Sequence, residues 1–289
     1  MPHNKKTVQK ESRDLAAEWE ISRKYSGLYG SIPSSFGSLI RGLHIDQAKN
    51  QELSFASKWQ MNRLLRSDSM KAAYYFALRT YRKDMFAGTK PLTIANLAVA
   101  LKPQDLAALL AVLYLFRRAR HMLDPNEWKF TAPLIHTRAD LGGQIGVMME
   151  NVGLGFGLLA GVMRYLGMLA FIVHDKSGFG EYRRKLKISN KAYDLRAERE
   201  RWGCSHVQIC SNLMVSIGLC SDTVESVRRG FEMKELNVNS ARTKSYAVRV
   251  TELWIDSLIL NLSPPKAPSS GFYDLSQEDL SNLLEEAKK

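Results

Sequence analysis

The segment LGFGLLAGVMRYLGMLAFIV, residues 154–173, is the most apolar stretch of the chain and contains a single charge, Arg164. Its twenty residues are long enough to span a bilayer. An arginine at the centre of a bilayer, however, costs roughly 2.5–3.5 kcal/mol on insertion scales. The segment also contains four glycines, which suit close contact between helices. We therefore predict that it is the buried core helix of a bundle, with no transmembrane segment in the chain.

Helical periodicity continues on both sides of this segment, and no run of alternating β-type sequence interrupts it. Pro103 suits the first turn of an apolar helix. That helix ends in a basic cluster, 117–121, where cations favour a helix C-terminus. Asp222, with Glu225 three residues later, resembles a capping-box start. These patterns predict an all-α fold with helices at 8–25, 126–151, 205–218, 222–232 and 241–260.

Composition and charge limit the class of protein. The 289 residues are 45% hydrophobic and 24% charged, which is typical of an ordinary globular protein. No apolar run follows the basic N-terminal residues, so export is not expected and we predict a cytoplasmic protein. Three cysteines without a Cys-x-x-Cys pair are interpreted as reduced thiols, and Cys210 and Cys220 are expected to be inert. A net charge of +12 favours an anionic partner, although excess Lys and Arg also solvate helix faces.

Three stretches occur in the same order and at similar separations as in a known family. They are KPLTIANLAVALKPQDLAAL at 90–109, HTRADLGGQIGVMMENVGLGFGLLAGVMRYLGMLAFI at 136–172, and AERERWGCSHVQICSNLMVSIGL at 197–219. Together they resemble the HDOD family, the output domain related to the HD hydrolases in bacterial signalling proteins. Lys102 stands where the family usually has glycine. The resemblance covers about residues 35–260, and each motif by itself is mostly apolar spacing.

The resemblance implies an HD-like multi-helix bundle preceded by a smaller helical part, and a role in regulation. On that basis, residues 35–125 form the N-terminal helical part and 126–262 the bundle. Residues 1–34 are expected to be a helical extension and linker, because Ser26 to Ser38 is rich in Gly, Ser and Pro. Residues 263–289 are expected to be a flexible tail with a short helix from Gln277.

Matched by motif, the metal ligands of the HD hydrolases are mostly missing. His136 and His206 stand at two histidine positions, but the His-Asp pair falls on Arg164-Tyr165, and a further paired-histidine position falls on about Gly230-Phe231. A fixed guanidinium cannot ligate a metal and would repel one. We therefore expect no catalytic residues, no metal and no cofactor. The dipeptide His174-Asp175 follows the expected position and is interpreted as the end of the apolar helix, facing solvent.

The four residues His136, Arg164, Tyr165 and His206 are candidates for a vestigial or ligand-binding pocket. Both histidines also have a purely structural interpretation. A buried arginine must be paired, so one hypothesis gives Arg164 an acidic partner that fills the old pocket. The other gives it a forked contact with the phosphate of a nucleotide.

A basic run, Arg183, Arg184, Lys185 and Lys187, forms a candidate anion-binding surface. It matches no sequence-reading nucleic-acid module. We predict a non-catalytic signalling module of HDOD type that works through a signalling protein or an anionic small ligand, a nucleotide included. The alternatives are a nucleotide phosphohydrolase with an atypical site and a nucleic-acid-binding regulator.

Overall fold

The structure is a computed structural model that describes residues 3–86, 93–149, 151–234, 236, 243–265 and 276–288. Every regular element in these residues is helical, so the predicted all-α fold is confirmed. A short 3-10 turn, Lys83–Phe86, follows the fourth helix. The helices are α1 (His3–Gly27), α2 (Ser34–Lys49), α3 (Phe55–Leu64), α4 (Asp68–Tyr81), α5 (Ile94–Ala98), α6 (Pro103–Met122), α7 (Pro125–Met148), α8 (Leu154–His174), α9 (Lys176–Ile188), α10 (Leu195–Trp202), α11 (His206–Ile217), α12 (Ser221–Glu232), α13 (Lys244–Asn261) and α14 (Gln277–Lys288).

Helix α8 lies at the centre of the bundle and packs against α6, α7, α11 and α13. Nearly all of its residues are buried, Arg164 included. In the described part of the chain it is the one helix with the length and hydropathy of a membrane span, but most of that window is buried inside the protein. The prediction of a buried core helix is therefore confirmed.

Glycines bring α7 and α8 into backbone contact. A Cβ added to Gly157 would lie 2.1 Å from the carbonyl oxygen of Gly142, and one added to Gly161 would lie 2.2 Å from that of Arg138. Only residues without a side chain allow helices to approach this closely. The sequence patterns of the two helices therefore fix their spacing, and with it the relative positions of Arg138 and Arg164.

Local signals set most helix boundaries. Pro103 begins α6 as predicted. Ser205 and Gln208 form a capping box at the start of α11. The predicted capping box at Asp222 is wrong, because α12 begins at Ser221 with Cys220 at its N-cap and no side-chain cap. Glu225 instead pairs with the arginines of the following turn.

The N-terminal extension is packed onto the bundle. Helix α1 contacts α11 and α8. Glu18 accepts a hydrogen bond from Gln208 Nε2 at 3.0 Å, and the Ser22 hydroxyl accepts one from Asn212. The Tyr29 hydroxyl donates to the carbonyl oxygen of Leu166 in α8. The predicted linker at 26–38 is shorter than expected, since α1 continues to Gly27 and α2 begins at Ser34.

The C-terminal part also differs from the expected flexible tail. Residues 277–288 form α14, which begins at Gln277 as predicted and packs on α7 and α13 with Leu283 buried. The tail residues 266–275 lie outside the described residues, as do the predicted start of α13 at 241 and residues 90–92 of the first HDOD-like stretch.

Candidate ligand-binding cavity

A cavity of about 870 Å³ opens between α7, α8, α9 and α13. Its lining residues recur at helical spacing on each helix, so each helix presents one stripe to it. Arg138, Arg164, Tyr165 and Asp256 provide polar and aromatic groups. The other walls are mostly apolar: Phe130, Leu134, Met168, Leu169, Ile172, Phe179, Leu186, Ile259 and Leu260.

Arg164 is buried and bonded to two carboxylates of α13. Its Nη1 donates to Glu252 Oε1 at 2.7 Å and to Asp256 Oδ2 at 2.8 Å, and its Nη2 donates to Asp256 Oδ1 at 2.6 Å. The acidic partner predicted for Arg164 is therefore present. The pocket is not filled, however, because Arg164 also lines the open cavity. The forked contact with a phosphate stays a prediction.

A second buried arginine, Arg138 of α7, completes this end of the cavity and was missed from the sequence. Its Nη1 lies 2.8 Å from Asp256 Oδ1, and its Nε donates to the carbonyl oxygen of Gly161 at 3.2 Å. An arginine one turn before Gly142 and Gly143 was the signal available in the sequence. Its partner lies more than a hundred residues away, which no local pattern reveals.

The charges at this site do not balance. Arg249 Nη1 donates to Glu252 Oε2 at 2.6 Å, so three guanidinium groups share the carboxylates of Glu252 and Asp256. We call these five residues the charge cluster. Arg138 Nη2 and Arg164 Nε are buried and have no hydrogen-bond partner among the described residues. An unsatisfied buried donor is costly, so the cluster favours an additional acceptor.

The cluster sets the protonation of Asp256. Burial by itself raises the pKa of this carboxyl, but the charges of Arg164 and then Arg138 outweigh burial and hold the pKa well below its usual value. Asp256 is therefore ionised at neutral pH. Three guanidinium groups against two carboxylates give the cluster a formal charge of one unit positive.

Aromatic rings border the charge cluster. The guanidinium carbons of Arg138 and Arg164 lie 4.8 Å and 5.2 Å from the centre of the Tyr165 ring. Arg164 also lies 5.4 Å from the Tyr193 ring centre. Cation–π contacts of this kind stabilise arginine away from water. Arg138, Arg164 and Tyr165 are thus in mutual contact on the wall of the cavity.

His206, the second candidate histidine, lies outside the cavity and is buried. Its backbone N–H donates to Glu198 Oε2 at 2.8 Å, and its Nδ1 lies 2.8 Å from the same oxygen. The Tyr182 hydroxyl donates to Glu198 Oε1 at 2.6 Å. Burial, followed by the charge of Glu198, raises the pKa of Tyr182. Since Tyr182 lines the cavity, Glu198 links the cavity wall to the His206 region.

His136, the first candidate histidine, does not line the cavity either. Its side chain is 71% exposed, and its Nδ1 lies 3.0 Å from Asp140 Oδ2. That hydrogen bond is the main reason why its pKa is raised. Within the described ranges, no three His, Cys, Asp or Glu side chains group as metal ligands would. The structure thus brings Arg164 and Tyr165 to one site and leaves the two histidines elsewhere.

The basic run on α9 divides in two. Arg183 and Lys187 line the cavity, whereas Arg184 and Lys185 do not. All four are exposed. Among the described residues, no carboxylate forms an ion pair with Arg183 or Lys187, which places two free cations on the cavity wall. Lys176 also lines the cavity, but it is paired with Glu127 at 2.7 Å.

The contacts also define the roles of His174-Asp175 and of Phe231. His174 ends α8, as predicted, and Asp175 caps α9 by accepting a hydrogen bond from Gly178 N at 2.8 Å. Phe231, at the missing paired-histidine position, is buried, and its carbonyl oxygen accepts a hydrogen bond from Tyr193.

The cysteines differ from one another. Burial raises the pKa of the Cys204 thiol to about 12 and also raises that of Cys210. The prediction that Cys220 lacks an adjacent base is wrong. Interaction with the imidazole of His44 is the main cause that lowers the pKa of Cys220 to about 7, and the hydroxyl of Thr223, 3.2 Å from the sulfur, lowers it further.

Comparison of the chain with protein-family models, with curated proteins and with solved structures finds no match in any of the three. The resemblance to the HDOD family therefore stays a prediction.

Proposed function

We propose that this chain is a non-catalytic regulatory module that binds an anionic small molecule in the cavity between α7, α8, α9 and α13. The observation that supports this proposal is the pair of buried arginines, Arg138 and Arg164. Each lines the cavity, and each has a buried N–H group without a partner among the described residues. The resemblance to HDOD domains supports a regulatory role.

The cavity suits a ligand with an anionic group and an apolar body. An anion adds the acceptor that the net-positive charge cluster lacks, and charge-assisted hydrogen bonds to guanidinium are among the stronger polar contacts. The apolar walls can hold the rest of the molecule. A volume of about 870 Å³ lies within the usual range for small-molecule sites. Arg183 and Lys187 on the cavity wall add attraction for negative charge.

A phosphohydrolase is less well supported by the same residues. His136 is exposed and bonded to Asp140, whereas His206 is buried and bonded to Glu198, so the two candidate ligands have different partners. Metal analysis of protein purified without chelators separates the two functions. We expect less than a tenth of a mole of Mn, Fe, Zn or Ni per mole of protein. Stoichiometric metal would contradict the non-catalytic proposal.

Ligand binding to the cavity is tested with two double variants of α9 that remove the same number of charges at different positions. Arg183→Gln/Lys187→Gln removes two charges from the cavity wall. Arg184→Gln/Lys185→Gln removes the same number from the same helix outside the cavity. The probes are inorganic phosphate, GMP, and dodecanoate as a carboxylate with an apolar chain, each titrated by calorimetry.

We expect at least one probe to bind the unmodified protein and the control alike. We expect the cavity variant to bind it about tenfold or more weakly, since tenfold corresponds to 1.4 kcal/mol. Equal weakening in both variants would indicate a general charge effect and contradict a ligand in this cavity. Absence of binding for all three probes would also contradict the proposal.

A further inference from the structure

A second cleft, of about 600 Å³, lies in the N-terminal part of the chain. It is formed by α2, α3, the start of α4 and the last turns of α6. None of these helices lines the cavity described above. Its floor is apolar and includes Phe36, Leu39 and Met70, all of them buried. The cleft is therefore a separate concave site.

The polar lining of this cleft is basic without acidic compensation. Arg63, Arg117, Arg118 and His121 line it, and no Asp or Glu does. Among the described residues, none of the three arginines forms an ion pair with a carboxylate. Arg118 is held by the carbonyl oxygen of Tyr29, to which its Nε donates at 2.6 Å. The basic cluster at 117–121, which the sequence explained by the helix C-terminus, thus also concentrates positive charge over a cleft.

Flat aromatic surfaces lie beside these cations. The rings of Phe36 and Tyr114 stack with centres 4.7 Å apart. Trp59 lines the cleft and is 55% exposed. The guanidinium of Arg63 lies 5.7 Å from its ring centre. Exposed aromatic and guanidinium planes are the groups on which nucleobases stack.

The start of α4 adds hydrogen-bond donors to the same cleft. Ser67, its N-cap, lines the cleft and makes no capping hydrogen bond. Its hydroxyl lies 3.2 Å from that of Ser69, which in turn accepts a hydrogen bond from Arg117 Nη1 at 3.2 Å. The free N–H groups of an uncapped first turn favour an anion. Asp68 follows Ser67 in this turn but does not line the cleft.

We infer that this cleft binds a nucleotide, with its phosphate held by Arg117 and the start of α4 and its base stacked beside Trp59 and Arg63. Phosphate accounts for the uncompensated cations, and a planar base accounts for the exposed indole. Neither inorganic phosphate nor an uncharged nucleoside satisfies both sets of groups. The inference does not depend on the cavity proposed above, because the two sites share no residue.

The test uses the full chain carrying Arg183→Gln/Lys187→Gln, so that binding at the cavity is weakened. AMP and GMP are titrated while tryptophan fluorescence and heat are recorded, with adenosine, guanosine and inorganic phosphate as partial ligands. We expect at least one nucleotide to bind about tenfold or more tightly than its nucleoside and than phosphate. Equal binding of phosphate alone would overturn the role of the aromatic groups.

Three variants locate the site. Arg117→Ala and Trp59→Ala should each weaken nucleotide binding about tenfold or more, and Trp59→Phe should retain most of it. Arg79→Ala is the matched control, because Arg79 is an exposed arginine of α4 outside the cleft. All the substituted side chains are exposed, and circular dichroism checks that each variant keeps its helices.

Two further results would overturn the inference. One is an equal loss of affinity in Arg79→Ala and Arg117→Ala, which would show a general charge effect. The other is binding of single-stranded oligonucleotides at least tenfold tighter than mononucleotides, which would assign the cleft to a polymer.

Discussion

The excess positive charge of the charge cluster predicts that substitutions of two directly bonded residues, Arg164 and Asp256, lower the free energy of unfolding by different amounts. Arg164→Met removes one guanidinium and leaves Arg138 paired with Asp256 and Arg249 paired with Glu252. Asp256→Asn removes one carboxylate, so that Arg164 and Arg249 share Glu252 and Arg138 loses its carboxylate partner. The first variant restores electrical balance, whereas the second increases the excess positive charge.

The magnitudes follow from what each substitution leaves buried. Arg164→Met loses three charge-assisted hydrogen bonds but also removes a buried cation with an unpaired Nε. We expect it to lower the free energy of unfolding by about 1–3 kcal/mol. Asp256→Asn leaves Arg138 and Arg164 without a shared carboxylate, and breaking a buried pair in this way costs about 3–5 kcal/mol.

Urea denaturation followed by circular dichroism measures both costs, provided that the denaturant slope stays unchanged. Asp222→Asn is the control for the chemical change, because Asp222 is exposed. It should lower stability by no more than about 1 kcal/mol, because its carboxylate lies in the first turn of α12. If Arg164→Met lowered the free energy of unfolding as much as Asp256→Asn, or more, the proposed excess of positive charge at this site would be refuted.

Acid unfolding tests the same carboxylate independently. The arginines hold the folded-state pKa of Asp256 below its unfolded value of about 3.9. Its stabilisation is therefore fully present above that value and is lost as the pH falls towards the folded-state pKa. The unmodified protein should lose stability below about pH 4 more steeply than Asp256→Asn. Parallel pH profiles would contradict this assignment.

Two further predictions concern other parts of the fold. The rate of Cys220 alkylation should have its pH midpoint near 7, and His44→Leu should raise that midpoint by about one unit or more. The two buried cysteines should not react before the protein unfolds. A midpoint above about pH 8.5 in the unmodified protein would contradict the lowered pKa of Cys220. Gly157→Ala should destabilise the protein by about 2–3 kcal/mol or more, because the added Cβ would meet the backbone of Gly142. Gly180→Ala should instead stabilise the protein by about 0.5–1 kcal/mol, because the space around Gly180 is open and alanine favours a helix over glycine. Equal effects of the two alanines in urea denaturation would rule out the close contact.

The sequence was sufficient to predict the central helix and most of its neighbours. Apart from Arg164 and the terminal His174, helix α8 is apolar on all sides, and only a helix enclosed by others buries every face. Pro103 and Gln277 mark helix starts that the structure confirms. These signals are local, because they depend on residues within a few turns of one another.

The candidate site was only partly predictable, because its pairings are long-range. Arg164 was identified as a buried charge, but Asp256 lies 92 residues later and Glu252 lies 88 residues later. On α13, these two carboxylates lie one turn apart within a sequence whose dominant pattern is apolar. Cys220 and His44 come from different halves of the chain. Such long-range pairs cannot be predicted from local sequence patterns, because they form only when the helices pack together.

The docking of α1 has a consequence for how the chain is made. Glu18 and Ser22 contact residues that follow 190 positions later, Gln208 and Asn212. At about 5–20 residues per second, α1 emerges from the ribosome on the order of 10–40 s before α11 has been synthesised. During that interval Glu18 and Ser22 lack their hydrogen-bond partners in α11. Protection of α1 from protease would therefore report the moment at which the C-terminal half of a nascent chain has folded.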